Sequence, residues 1–349
     1  MDSWSHIFSQ LDAGSDLSTS DVHWAMGQIL EGTATIDEIK DYLTKLGTKG
    51  ESASEISAMI DQMYRFAAPI HIPDRAVDIV GTGGDGYNTI NISTTAAIVT
   101  NAAGARVVKH GSRAASSKSG AADFLEAFGV NININGEGVA EIVRQIGIGF
   151  CFAPKFHPAL RHAAPARKEL GVSTIFNILG PLANPAKPVA IAVGVAKAQF
   201  QPIMAEVLAR RGCEGFVFRG DDGIDELSLS TTSTVYQVSE GSYRVEKFDP
   251  SNLGIDSAPI EALVGGDADY NVRMAREIFD GKEGPMKDAV VLNAGAAIAA
   301  FKADFNLSVE QQFANGVVAA RQAIDSGAAN AVIEKWAKLS QEIAITYPA

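Results

Sequence analysis

Two glycine-bearing turns, each placed directly after a short apolar run, constrain this chain more than any other feature. Val77-Asp78-Ile79-Val80 runs into Gly81-Thr82-Gly83-Gly84-Asp85-Gly86, and Thr89, Asn91, Ser93 and Thr94 follow before an Ala-rich stretch at 93–103 that reads as a helix. A second apolar run at 106–108 leads into Lys109-His110-Gly111-Ser112-Arg113-Ala114-Ala115-Ser116-Ser117-Lys118-Ser119-Gly120. Strand, glycine turn and helix in succession belong to a parallel sheet. Glycine lets the backbone approach a ligand closely, and a helix N-terminus offers unpaired N–H groups suited to phosphate. Loops at the carboxyl ends of parallel strands line the ligand crevice, so both turns are expected on the same edge. Ser93 or Thr94 is expected to cap the helix.

The remaining pattern fixes the fold class. Residues 1–70 read as all-helical: Ile36, Ile39, Leu43 and Leu46 recur at helical spacing, as do Ile56, Met59, Ile60, Met63 and Phe66. Pro69 and Pro73 mark a linker at 68–74. Further strands are predicted at 132–134, 148–152, 189–195, 215–218 and 234–238, with helices at 121–128, 157–169 and through most of 271–345. The stretch 177–188 is rich in Gly, Pro and Asn and shows no strand pattern. The expectation is an α/β protein of two domains. A small all-helical N-terminal domain (1–70, together with about 155–188) joins a larger α/β domain (75–154 and 189–349) with a mainly parallel central sheet.

Charge narrows the ligands. With 29 basic and 41 acidic residues the net charge is −12, which disfavours nucleic acid and anionic membranes as partners. A phosphorylated ligand must then be held by local features: backbone N–H groups, a few cations or a metal ion. Cys151 and Cys213 lack a zinc-site spacing and are expected to be buried free thiols. The first residues lack the basic and apolar regions of a signal peptide, and the apolar run 289–301 is too short to span a membrane and reads as a core helix. A cytoplasmic location is expected.

Gly81, Gly83 and Gly86 fit the dinucleotide pattern G-x-G-x-x-G, which alone is a weak signal. A dinucleotide site expects an acidic residue ending the next strand, whereas that strand here leads into Lys109, His110 and Arg113. Asp85 would repel a bare pyrophosphate and makes sense facing ribose hydroxyls or a metal ion. A cationic loop opposite a glycine loop, in an acidic protein, points to a polyanionic ligand.

Several longer motifs carry a resemblance. Gly81-Thr82-Gly83-Gly84-Asp85, Asn91-Ile92-Ser93-Thr94 and Lys109-His110-Gly111-x-Arg113-x-x-Ser116-Ser117 resemble the anthranilate phosphoribosyltransferase family. So do Phe152-Ala153-Pro154, His157-Pro158, Arg167, Phe176-Asn177-x-Leu179-Gly180-Pro181-Leu182-x-Asn184-Pro185 and Asp222-Gly223-x-Asp225-Glu226, in the family's order. The resemblance implies a nucleoside phosphorylase/phosphoribosyltransferase-like fold and transfer of the phosphoribosyl group of phosphoribosyl pyrophosphate to the amine of anthranilate, in tryptophan biosynthesis, by a homodimer.

It also implies roles. Gly81, Gly84, Asp85, Thr89, Asn91, Ile92, Ser93 and Thr94 would hold the donor. Lys109, His110, Gly111, Ser112, Arg113, Ser116 and Ser117 would close around it, with His110 also facing the aromatic pocket. Ser93, Asp225 and Glu226 would ligate Mg²⁺, two ions per subunit. Arg167 would meet the anthranilate carboxylate, and Lys109, Asp85 and Arg167 would be catalytic. Two positions depart from the family: Ser112 stands where Asn is usual, and Ala121 where many members carry a phosphate-binding Ser. The related pyrimidine nucleoside phosphorylases fit the loop at 81–85, the segment 177–185 and the Asp225-Glu226 pair less well.

Overall fold

A computed structural model describes residues 3–114 and 118–348. Seven strands form one sheet: β1 (Val77–Gly81), β2 (Val107–Gly111), β3 (Ile148–Phe152), β4 (Ala190–Gly194), β5 (Glu214–Gly220), β6 (Ser233–Ser239) and β7 (Ser242–Phe248). Their spatial order is β3-β2-β1-β4-β5-β6-β7. β1 through β5 are mutually parallel, and β6 and β7 add on antiparallel at one edge. The order runs outward one way through β1, β2 and β3 and the other way through β4 and β5. The reversal lies between β1 and β4, which pair from Val77↔Ala190 to Gly81↔Gly194. Beyond the carboxyl ends of two such strands the outgoing loops diverge and leave a crevice.

Strand alternation decides what each face packs against. Val77 and Ile79 of β1 and Ala190 and Ala192 of β4 pack among the residues of helices Ile92–Ala102 and Pro285–Lys302. Val80, Ile191 and Val193 point the other way, against helix Phe200–Arg210 and the N-terminal helices. Burial on both faces suits parallel strands, which read as near-continuous apolar runs.

The N-terminal helices are Trp4–Asp12, Thr19–Glu31, Ile36–Lys49 and Ala53–Phe66. Three of them start with capping boxes, from Ser18 to Asp21, Thr35 to Glu38 and Ser52 to Glu55. Helix Ala164–Leu170 packs on Ile36–Lys49, and helix Phe176–Leu182 packs on Ala53–Phe66.

Several expectations change. Residues 132–134 form no strand: Ile134 makes only an isolated bridge to Pro348, because the Ser340 hydroxyl and the Asn131 side chain take the N–H groups of Asn131 and Asn133. The stretch 157–169 is two pieces, a 3₁₀ turn Pro158–His162 and helix Ala164–Leu170. β7 escaped notice because its residues are mostly exposed and polar, as suits an edge strand. Helix Ile92–Ala102 has Asn91 at its N-cap position with no side-chain cap bond, so neither Ser93 nor Thr94 caps it. Cys151 is buried and Cys213 half-buried, and both are free thiols. Among the described residues, no helix is long and apolar enough to cross a membrane.

Candidate active site

The two glycine turns, separated by helix Ile92–Ala102, line one cavity of about 400 Å³ at the β1/β4 reversal. Gly81, Gly84, Asp85, Thr89, Asn91, Ile92, Ser93 and Thr94 border it from one side, and Lys109, His110, Gly111, Ser112, Arg113 and Ala121 from the other. Asp225 and Glu226, on the loop leaving β5, form its floor. Ser116 and Ser117 lie outside the described residues. Arg167 borders a second cavity of about 550 Å³ whose lining shares Thr82, Gly83, Gly84 and Asn177 with the first.

Close approach sets the floor. The Gly83 N–H donates to Asp225 Oδ2 at 2.6 Å. A Cβ on Gly81 would sit 2.3 Å from that same oxygen, and a Cβ on Gly194 would sit 1.6 Å from the Asp225 carbonyl oxygen. Both strand-ending glycines are therefore required for the acidic loop to cross the ends of β1 and β4. Gly83 and Gly84 adopt φ of +67° and +82°, which bends the turn around the acid.

The floor carries more negative charge than the protein neutralises. Burial, and after it the charge of Asp85, pushes the Asp225 carboxyl up to about 7. Burial, and after it Asp225, pushes Glu226 well above the usual carboxylate range, while the Ser93 N–H steadies its charged form. Lys109 is the nearest cation. Its ammonium donates to the Ile79 carbonyl and to Ser93 Oγ at 3.3 Å. Burial draws its pKa below the ordinary lysine value, against the pull of Asp78, Glu226 and Asp225.

The sequence reading placed Lys109, His110 and Gly111 in a loop, but they are the last residues of β2. This explains why Lys109 is only 2% exposed and held rigidly. Arg113 bonds to Asp123 and Glu126, so its charge is matched within the protein. The Asn91 side chain accepts from Ser119 Oγ and from Asn271 Nδ2 and donates to the Ser119 carbonyl, tying the two turns together.

A buried polar network backs the site. Asp78 Oδ1 accepts the His110 N–H at 3.2 Å, and its Oδ2 accepts from Asn184 Nδ2 at 2.8 Å. Burial, opposed by Lys109, raises the Asp78 carboxyl to about 6. The His110 Nδ1 lies 3.0 Å from the Gly180 carbonyl, while Nε2 is buried with no hydrogen-bond partner among the described residues. Burial, and then His157, lowers the His110 imidazole to about 3, so it is neutral at ordinary pH. A neutral ring that donates through Nδ1 presents Nε2 as an acceptor.

The second cavity differs in charge. Arg167 stacks over Phe176 at 5.4 Å and bonds to no carboxylate among the described residues. Burial alone lowers its guanidinium from the ordinary value. Asn177, which borders both cavities, and Lys168 and Lys197 were not singled out from the sequence as site residues. Asn177 stood inside a quoted motif. Lys197 had no signal at all, since only the register of β4 brings it here.

The chain combines a parallel sheet with a crevice at its strand reversal, glycine turns around an oxygen-rich acidic floor, and N-terminal helices packed on one side of that sheet, as glycosyl transferases do. Two family profiles agree: one described as the helical bundle domain of a glycosyl transferase family matches residues 5–67, and one described as its a/b domain matches 73–330. The chain is 49% identical over 98% of its length to the anthranilate phosphoribosyltransferase of Rhodococcus opacus, covering 94% of that protein. It is 50% identical over 96% of its length to that of Streptomyces griseus, again covering 94%. The crystal structure of the Thermus thermophilus enzyme superposes with a TM-score of 0.89 at 39% identity, covering 96% of this chain and 99% of that one. The Saccharomyces cerevisiae enzyme, solved in complex with PRPP and Mg, gives 0.87 at 27%, covering 97% and 98%. The chain belongs to the anthranilate phosphoribosyltransferase family.

Proposed function

We infer that this chain is an anthranilate phosphoribosyltransferase: it moves the phosphoribosyl group of phosphoribosyl pyrophosphate onto the amine of anthranilate, releasing pyrophosphate, in tryptophan biosynthesis. The observation that carries the reading is the pairing of an acid-floored glycine cavity with an adjoining cationic one, on a chain whose relatives of this activity match it from end to end.

The donor is assigned to the first cavity. Gly81, Gly84 and the uncapped start of helix Ile92–Ala102, from Asn91 through Thr94, offer N–H groups to its phosphates. Asp85 and Thr89 face the ribose. Lys109, Gly111 and Ser112 close the other side with the backbone at Ala121, and Ser116 and Ser117 are assigned to the donor from the resemblance alone. Arg113 reaches a phosphate only by exchanging a carboxylate of Asp123 or Glu126 for it.

Ser93 Oγ, Asp225 and Glu226 are hard oxygen donors of the kind Mg²⁺ takes alongside substrate phosphates and water. Burial and neighbouring carboxylates raise both acids above the usual range, which supports reading this floor as a place for a cation. We assign two ions per subunit, one at Ser93 and one at the acidic pair. Bound there, Mg²⁺ would neutralise the pyrophosphate oxygens. Lys109 adds fixed positive charge next to Ser93, and such preorganised charge lowers the barrier as the leaving group departs.

The acceptor is assigned to the second cavity. Arg167 takes its carboxylate, an interaction strengthened by partial burial. His110 borders the first cavity and is assigned to the aromatic pocket from the resemblance. An aromatic amine is neutral at pH 7 and attacks C1 of the ribose without prior deprotonation, so orientation is what the protein supplies. On the packing of Ala164–Leu170 and Phe176–Leu182 against the N-terminal helices, we assign about 155–188 to the helical domain. A homodimer and a cytoplasmic location are proposed from the resemblance.

The test follows anthranilate fluorescence in the presence of phosphoribosyl pyrophosphate. The reading predicts loss of signal that requires Mg²⁺. No loss at any metal concentration would overturn it.

A further inference from the structure

Four of the six residues at 81–86 are glycine, and glycine loses more conformational freedom on ordering than any other residue. The turn is tied down at both ends. The Thr82 N–H donates to the Gly194 carbonyl at 3.0 Å, and the Asn88 carbonyl accepts the Gly265 N–H at 2.8 Å. Between these ties, two further hydrogen bonds cross from the turn to the loop after β5. One runs from the Gly83 N–H to Asp225 Oδ2 at 2.6 Å. The other comes from Tyr87, whose hydroxyl donates to the Asp222 carbonyl at 2.7 Å. Tyr87 lines neither cavity. Its half-buried ring packs on the main core, and its own N–H donates to Asp85 Oδ1 at 3.2 Å.

The loop that receives this bond is braced within itself. The Gly220 N–H donates to the carbonyls of Ile224 and Glu226, each at 3.1 Å, and Asp222 Oδ2 accepts from Ser228 Oγ at 2.6 Å. A glycine-rich turn is thus fastened to a loop that holds its own shape. Charge works against the fastening, because Asp85 on the turn repels both Asp225 and Glu226 on the loop. The two crossing bonds differ in what they use up. The Gly83 bond occupies Asp225 Oδ2, on a carboxylate assigned to Mg²⁺. The Tyr87 bond ends on a backbone carbonyl and leaves every carboxylate oxygen free. We propose that Tyr87 is a positioning residue of the donor site: its hydroxyl holds the glycine turn against the acidic loop before donor and metal arrive, so that their binding does not have to order the turn. Preorganisation of this kind is expressed as affinity. The proposal rests on the assignment of the donor and Mg²⁺ to this cavity.

The test compares the wild type with Y87F, which removes the hydroxyl and keeps the ring on the core. Amide hydrogen exchange is measured first, on the ligand-free proteins. Loss of one neutral hydrogen bond changes an equilibrium by roughly 3- to 10-fold. Exchange at 83–88 should quicken by that factor in Y87F, while helix Ile36–Lys49 keeps the wild-type rate. Steady-state rates should then show a rise of similar size in the KM for phosphoribosyl pyrophosphate and in the Mg²⁺ concentration giving half-maximal rate. The kcat at saturation and the KM for anthranilate should be unchanged. Wild-type exchange at the turn of Y87F would overturn the proposal. Faster exchange throughout the chain would also overturn it, since the hydroxyl would then only stabilise the fold. So would faster exchange at the turn with an unaltered donor KM. A wild type whose turn gains no protection from phosphoribosyl pyrophosphate and Mg²⁺ would instead defeat the donor assignment on which the proposal rests, whatever Y87F does.

Discussion

The two adjoining cavities share a rim at Gly83, Gly84 and Asn177 but solve opposite problems. The first, assigned to the donor with its several phosphoryl charges, has a floor of Asp225 and Glu226, with Asp85 at the side. Its buried cation, Lys109, feels the charge of Asp78, Glu226 and Asp225. The second, assigned to an acceptor with a single carboxylate, presents three cations and no acid. The difference teaches how affinity for anions is divided. Where the ligand is highly charged, the protein supplies acids and leaves neutralisation to metal and amide dipoles. Where the ligand is weakly charged, side-chain cations meet it directly. A metal-dependent site on the donor side and a metal-independent one on the acceptor side follow.

The strongest way to break this contrast is to remove the acids. Asp225→Asn with Glu226→Gln should lower kcat by roughly 10²- to 10³-fold, the usual size for loss of preorganised charge stabilisation. Steady-state rates over a Mg²⁺ titration would show it, and anthranilate affinity should stay near the wild-type value. A smaller loss is expected from Gly81→Ala, whose new methyl group collides with Asp225 Oδ2. A displacement of about 1 Å at a reacting site can cost up to about 100-fold. That loss should appear in the donor KM and kcat, with a melt confirming that the protein is folded.

Arg167→Ala sharpens the other side. It should raise the anthranilate KM by roughly 10- to 100-fold, the equivalent of one hydrogen bond to a charged group, and leave the donor KM nearly unchanged. Equal effects on both substrates would remove Arg167 from the acceptor cavity.

The smallest effect concerns His110, in the wall of the first cavity. Its folded pKa of about 3 lies below the ordinary 6.5. The neutral ring therefore contributes stability that is fully present above about 6.5 and is lost as pH falls from there toward 3. Melting temperatures at several pH values should show His110→Gln losing less stability over that window than the wild type. The activity profile should show no inflection at 6.5 from this residue.

The site was legible in the sequence wherever its chemistry is local. The turn at 81–86 and the acids at 225 and 226 each declare themselves by a few consecutive residues and fall where the sheet edge requires. What stayed hidden depends on register and long-range packing. Lys109 read as a free loop cation because the end of β2 could not be placed from the apolar run alone. Its burial follows from three more residues of strand, Lys109 through Gly111. Arg113 read as a phosphate ligand because Asp123 and Glu126 come within reach of it only when helix Ala121–Ala127 folds back. The bond between Asp78 and Asn184 joins positions 106 residues apart. Fold class was the easier part, since glycine turns after apolar runs specify a parallel sheet. The strand predicted at 132–134 failed because two buried isoleucines at alternate positions fit a loop tucked under a helix equally well.

The central claim is that the acid-floored cavity takes its polyanion only together with a divalent cation. Isothermal titration of phosphoribosyl pyrophosphate into the protein, with Mg²⁺ and then with a chelator, tests it most directly. The account predicts saturable heat with the metal and its collapse without it. Equally tight binding in the chelator would contradict it, because Asp225 and Glu226 would then face the phosphates uncompensated.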